Sequence, residues 1–271
     1  MSDSIDVYID KAFRALPSYE FGESHETLTI AEEAIKAVTS SGEDTRAIAA
    51  QLARLLEFDS TNDCKQFVCR QLAVIGGPEN VDAIAPLLLD AKTADMARYA
   101  LEPMDNDEAG KAILDALDHA PPSAHAGIIN SLGRRDSKPA IRTISRRVSD
   151  VDPAVASAAI NALGNIGSRN AVQRLTSSGK RVSREMRRPV EDALLNCAHG
   201  YLDEGKNHRA AKIFGDLLED SEYGRVRIAA LRGLVKADSE QGRALAVRAA
   251  EDDSDPEITM AAKVLLQELN D

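Results

Sequence analysis

Apolar residues in this chain fall three and four positions apart and rarely alternate over five or more, which predicts amphipathic helices in place of half-buried strands. The clearest stretch is 152–167, DPAVASAAINALGNIG. Asp152 and Pro153 mark a helix start, Val155, Ala159, Ala162 and Leu163 build an apolar face, and Gly164 and Gly167 end the run. Variants of this stretch recur about every thirty residues, a length that holds two short helices and two tight turns. Gly76, Gly133 and Gly164 follow Ile75, Leu132 and Leu163 as landmarks of the recurrence.

From residue 60 onward the periodicity predicts helices near 63–75, 94–102, 123–132, 153–164, 183–198, 223–235 and 256–269. These alternate with helices near 79–89, 108–118, 138–148, 169–177, 206–219 and 240–251. One such hairpin leaves an apolar face exposed, and stacking neighbours buries it on both sides. The expected fold is therefore all-α, a right-handed α-α superhelix or solenoid of stacked helical hairpins. Residues 1–58 are expected to form a helical cap continuous with it, with helices over Ser4–Leu16, Glu26–Val38 and Asp44–Phe58. Residues 60–271 form the repeats. Residues 197–222 break the shorter period and predict a lengthened hairpin, and Pro189 should kink helix 183–198 if that helix is continuous.

The segment DPAVASAAINALGNIG resembles the second helix of a HEAT repeat, with its Asp–Pro, Val, spaced Ala and Leu–Gly positions. YGRVRIAALRGLVKAD and DPEITMAAKVLLQEL match that pattern in part, and MARYALEP resembles a variant repeat of multi-repeat bacterial HEAT proteins. YLDEGKNHRAAKIFGDLL has a tetratricopeptide look but too little of that motif to change the assignment. The resemblance spans residues 60–271 and implies a HEAT/armadillo-like solenoid whose second helices line a concave face. It implies protein binding most often. Some helical-repeat relatives bind DNA, and some act on DNA or on tetrapyrrole-carrying proteins. No catalytic residue carries over from it.

Composition narrows the function further. Trp is absent and aromatics are 4%, so Leu, Ala and Ile must supply a core of many small helix–helix contacts. The net charge of -11 disfavours a nucleic-acid binder, yet it hides a local reversal, because residues 134–188 are rich in Lys and Arg and poor in Asp and Glu. Arg134, Arg135, Lys138, Arg142, Arg146, Arg147, Arg184, Arg187 and Arg188 are the candidate partner-binding residues. Arginine makes planar two-pronged contacts to carboxylates, which suits an acidic protein partner, and a row of cations also suits a phosphate backbone. The same residues would equally serve as solvated helix faces. No aromatic residue interrupts 134–188, so no stacking platform for bases is evident.

Signals for chemistry are thin. His25, His119, His125, His199 and His208 have no metal-ligand spacing, no Gly-rich phosphate loop occurs, and no nucleophile elbow appears. No cofactor or metal is expected. Cys64, Cys69 and Cys197 suit reduced, buried positions better than a disulfide framework. The first ten residues lack a basic end followed by an apolar core, and no apolar run reaches membrane-spanning length, so a cytoplasmic location is expected. The leading expectation is a non-enzymatic protein-interaction scaffold that binds an acidic partner through its inner face and basic central repeats. The alternatives are a nucleic-acid phosphate-backbone binding module, and a helical-repeat enzyme or lyase subunit with a site on the concave face. For the last, Tyr99, Glu102, His125, Asn130 and Asn161 are the positions to inspect.

Overall fold

A computed structural model describes residues 13–42, 44–57, 59–252 and 254–269. The described residues are helical, with no strand, and divide into two compact units, Met1–Arg135 and Asp136–Asp271. Each unit is a stack of antiparallel helical hairpins of the α-α solenoid class.

In the first unit, the predicted opening helix lies mostly outside the described residues, and its end runs into a 3-10 turn at Leu16–Ser18. Then come α1 (Glu26–Ser41), α2 (Arg46–Glu57), α3 (Asn62–Ile75), α4 (Val81–Ile84), α5 (Ala94–Leu101), α6 (Asp107–Ala116) and α7 (Pro122–Arg134). The helix expected over 79–89 is broken. Short 3-10 turns, Pro78–Asn80 and Ala85–Leu89, flank one turn of α-helix, and Pro86 near the start of the second lacks the amide that would continue it. Side chains cap several starts, among them Thr61 to the Cys64 amide and Asn106 to the Ala109 amide.

The second unit holds α8 (Ile141–Arg147), α9 (Pro153–Ile166), α10 (Arg169–Gly179), α11 (Arg184–Asp203), α12 (Asn207–Asp220), α13 (Gly224–Ala237), α14 (Ser239–Glu251) and α15 (Pro256–Glu268). The reference stretch is α9. Asp152 caps it by accepting from the Ala154 amide at 2.8 Å, and Val155, Ala159 and Leu163 are buried. Of its two glycines only Gly167 ends the helix, in the left-handed region at φ 53° with its amide on the Leu163 carbonyl. Gly164 lies inside the helix. A Cβ there would stand 3.1 Å from that of Ala193, so this glycine sets the close approach of α9 and α11.

Residues 197–222 fall mostly in the hairpin of α11 and α12, where α11 is 20 residues long. It runs through Pro189 as one helix. Near the helix start, proline removes only the amide that would reach the carbonyl of exposed Glu185, which solvent can satisfy. The second helices α9, α11, α13 and α15 pack on one another in succession. The first helices do so only in part: α8 packs on α10, but α10 and α12 do not pack closely together. Among the described residues no helix is long and apolar enough to cross a membrane.

Candidate binding groove

The gap between α10 and α12 is a groove of about 1050 Å³, floored by α11 and lined at one end by Glu222 and Tyr223 of the turn after α12. The turns after α10 and α11 are short, so consecutive helices run antiparallel and the two walls, α10 and α12, run parallel to each other. The floor is apolar. Val190 and Leu194 of α11 and Ile213 and Leu217 of α12 are buried and line it, with half-buried Val172 on the other wall.

The two ends differ in charge. Arg169 at the start of α10 and His208, Arg209 and Lys212 at the start of α12 are exposed and line one end. No side chain caps the first turn of α12, so the positive pole of that helix adds to the same end. Acids gather at the other end, where Asp220, Glu191 and Glu222 meet Lys180 and Arg187. Arg187 pairs with Glu222 at 3.4 Å. Ser221 Oγ donates to Glu191 Oε2 at 2.5 Å. Burial pushes the Glu191 carboxyl above the usual carboxylate range, and repulsion from Asp192 and Glu222 adds to the rise against the opposing pull of Ser221 and Arg187.

Tyr201, on the floor at the basic end, is buried, and among the described residues its hydroxyl has no hydrogen-bond partner. Lys206 Nζ and the Arg209 guanidinium each lie 5.8 Å from the centre of its ring. Burial holds its phenol above its ordinary pKa.

The structure distributes the sequence-predicted basic residues among different tasks. Arg134 donates from Nε and Nη2 to Glu102 at 2.5 and 2.6 Å, and Ser131 Oγ also donates to that carboxylate. Burial raises the Glu102 carboxyl, but the hydrogen bonds from Arg134 and Ser131 outweigh it and leave the group below its usual range. Arg135 turns inward and donates to the carbonyls of Leu101, Glu102, Met104 and Asn106. Lys138 lies 3.6 Å from Asp136, Arg147 pairs with Asp150, and Arg188 with Asp192. Arg142, Arg146 and Arg184 are exposed, and no ion pair engages them among the described residues. Of the nine, only Arg187 lines the groove. Sequence reasoning passed over Glu191, Tyr201 and His208 as a group, although the disturbed period at 197–222 marked the hairpin that brings them together.

The positions singled out for possible catalysis have different surroundings. Tyr99 and Asn161 are exposed, His125 Nε2 donates to the Ala120 carbonyl at 3.1 Å, and Glu102 is committed to Arg134 and Ser131. Among the described residues no group of His, Cys, Asp and Glu is placed to hold a metal ion. The three cysteines are buried and unpaired. Burial pushes the thiols of Cys64 and Cys197 up to about 11 and that of Cys69 up to about 12, so none is a thiolate near neutral pH.

Residues 110–195, from within α6 to within α11, match the family model of HEAT repeats. Solved structures with a similar chain course include an engineered protein, 20% identical with a TM-score of 0.44, over 94% of this chain and 76% of that one. A second is the complex of CpcE and CpcF of phycocyanin lyase from Nostoc sp., 16% identical with a TM-score of 0.43, over 96% of this chain and 94% of that one. A third is human deoxyhypusine hydroxylase in complex with glycerol, 15% identical with a TM-score of 0.36, over 98% of this chain and 97% of that one. No curated protein matches the chain.

Proposed function

We propose that the chain is a non-enzymatic protein-interaction scaffold, and that its second unit takes an acidic protein partner on the cationic side of its first helices. The observation that carries this reading is a set of unengaged arginines. Arg142 and Arg146, one turn apart on α8, and Arg169 and Arg174 on the neighbouring α10 are exposed and in no ion pair among the described residues. Arg184 at the start of α11 shares that state. An arginine already held by a carboxylate of its own chain must give that pair up to bind. These need not, and their forked donors match carboxylates on a partner. The match to HEAT repeats, which runs through this unit as far as residue 195, supports the reading, because such repeats stack their helices.

The test is a salt-titrated pull-down from native lysate with the natural chain and an R142E/R146E/R184E variant. A selective partner that is lost on charge reversal, while the melting temperature is unchanged, supports the reading. No selective partner, or full retention by the variant, counts against it. Fluorescence anisotropy with duplex and single-stranded DNA separates the phosphate-binding alternative, which requires direct binding at low salt and a steep loss as salt rises.

A further inference from the structure

We propose that the groove between α10 and α12 seats one amphipathic helix of a protein partner, apolar side down on α11 and with its acidic end at Arg169, Arg209 and Lys212. This rests on the reading of the chain as a protein-binding scaffold but assigns a different contact from the α8 arginines.

Four observations carry it. First, α10 and α12 do not pack closely on each other, as α12 and α14 do not, while the second helices beneath them pack in succession, so α10 and α12 leave a trough parallel to their own axes. Second, its size fits. A helix about 10 Å across sweeps roughly 420 Å³ per 5.4 Å turn, so 1050 Å³ receives about two turns. The 11-residue wall α10 is itself about 16 Å long, or three turns. Third, Val190, Leu194, Ile213 and Leu217 offer a continuous apolar floor, the complement of side chains spaced i, i+3, i+4 and i+7. Fourth, the charge is graded along the trough. Arg169, Arg209 and Lys212 lie toward one end, with Asp216 one turn beyond Lys212, and Asp220, Glu191 and Glu222 occupy the other beside Lys180 and Arg187.

The absence of Trp from the chain makes the test direct. A Gln173→Trp variant places a single indole on the exposed rim of α10, and its emission reports on anything entering the trough. The probes are 14-residue peptides with one apolar stripe and glutamates confined to one end. A panel varies the stripe among Leu, Ile, Met and Phe. The expected result is saturable binding by members of the panel, with a blue-shifted indole. Replacing the glutamates by lysines should weaken binding at least about tenfold, and an R169E/R209E/K212E variant should reverse that ranking. A proline in mid-peptide should abolish binding, because it breaks the helix.

The proposal is overturned if no member of the panel binds, if the lysine peptide binds as well as the glutamate peptide, or if the proline peptide keeps its affinity. R142E/R146E should leave peptide binding unchanged. If the protein partner from lysate is lost on R142E/R146E/R184E while the panel never binds, the scaffold reading stands and the groove proposal falls. If the panel binds and no lysate partner depends on those arginines, the reverse holds.

Discussion

Replacing Arg135 by methionine should destabilise the protein by about 3 kcal/mol and leave partner binding by the folded chain unchanged. The guanidinium donates to four carbonyl oxygens where the chain leaves α5 and turns into α6: Leu101 at 3.0 Å, Glu102 at 2.8 Å, Met104 at 2.5 Å and Asn106 at 2.7 Å. Leu101 and Met104 are buried, so water cannot freely replace the donor. A hydrogen bond from a charged donor contributes about 1.5–3 kcal/mol net, and bonds sharing one donor group are far from additive, which brings the expected loss to about 3 kcal/mol. Methionine keeps the apolar stem, so the loss reports the donors. For a unit of this size it corresponds to a fall of about 10 °C in Tm. Urea and thermal denaturation followed by circular dichroism measure it. Lysine, a compact charge that cannot fork across separated carbonyls, should recover less than half. Arg142→Met, at an exposed arginine with no ion pair, should stay within about 0.5 kcal/mol of the natural chain. A loss below about 1 kcal/mol for Arg135→Met would refute the reasoning, since it would mean the carbonyls exchange the guanidinium for water at little cost.

Gly233→Ala should cost about 1–3 kcal/mol, because a Cβ there would stand 2.3 Å from the ring of fully buried Phe214, and a G233A/F214L double variant should regain part of the loss in the same melts. Tyr201→Phe should raise stability by about 1 kcal/mol in the free protein by removing a buried hydroxyl with no partner; an equal fall would show that the hydroxyl is satisfied. Glu102 and Glu191 should act oppositely with pH. The Glu102 carboxyl is held low in the folded state, so its contribution is present above the unfolded-state pKa of about 4.3 and lost as pH falls through its folded value. Glu102→Gln should therefore lower stability at neutral pH and converge with the natural chain in acid. Glu191 is held high, so its protonated form favours folding below about 4.3 and that advantage is lost as pH rises through the folded value. Glu191→Gln should be more stable than the natural chain at neutral pH, and denaturation at stepped pH reads both.

The helices themselves were legible because their cause is local. An apolar stripe at i, i+3 and i+4, an Asp–Pro start and a glycine at a left-handed stop act within one or two turns, and α9 shows all three. The HEAT-like period followed from repetition of that local unit, and the break at 197–222 falls on the hairpin of α11 and α12. Glycine roles were less legible. Gly164 and Gly167 look alike in the sequence, yet one is a stop and the other a point of close approach to Ala193, a partner 29 positions away.

The fate of the charges lay further out of reach. Arg134, Arg135 and Arg142 read alike as members of one basic stretch, but whether an arginine is free depends on which carboxylate or carbonyl the neighbouring hairpin presents about thirty residues away. The groove is a property of spacing. Its floor and walls come from α10, α11 and α12, each already written in the periodicity, but whether two first helices meet or stand apart is decided by packing between hairpins. By itself the sequence determined that the chain would be helical, repetitive and basic at its centre, since these follow from each residue and its near neighbours. Only the tertiary structure decided which arginines are spent inside the fold and where the row of helices opens, because both are settled by contacts between residues that the chain keeps a whole repeat apart.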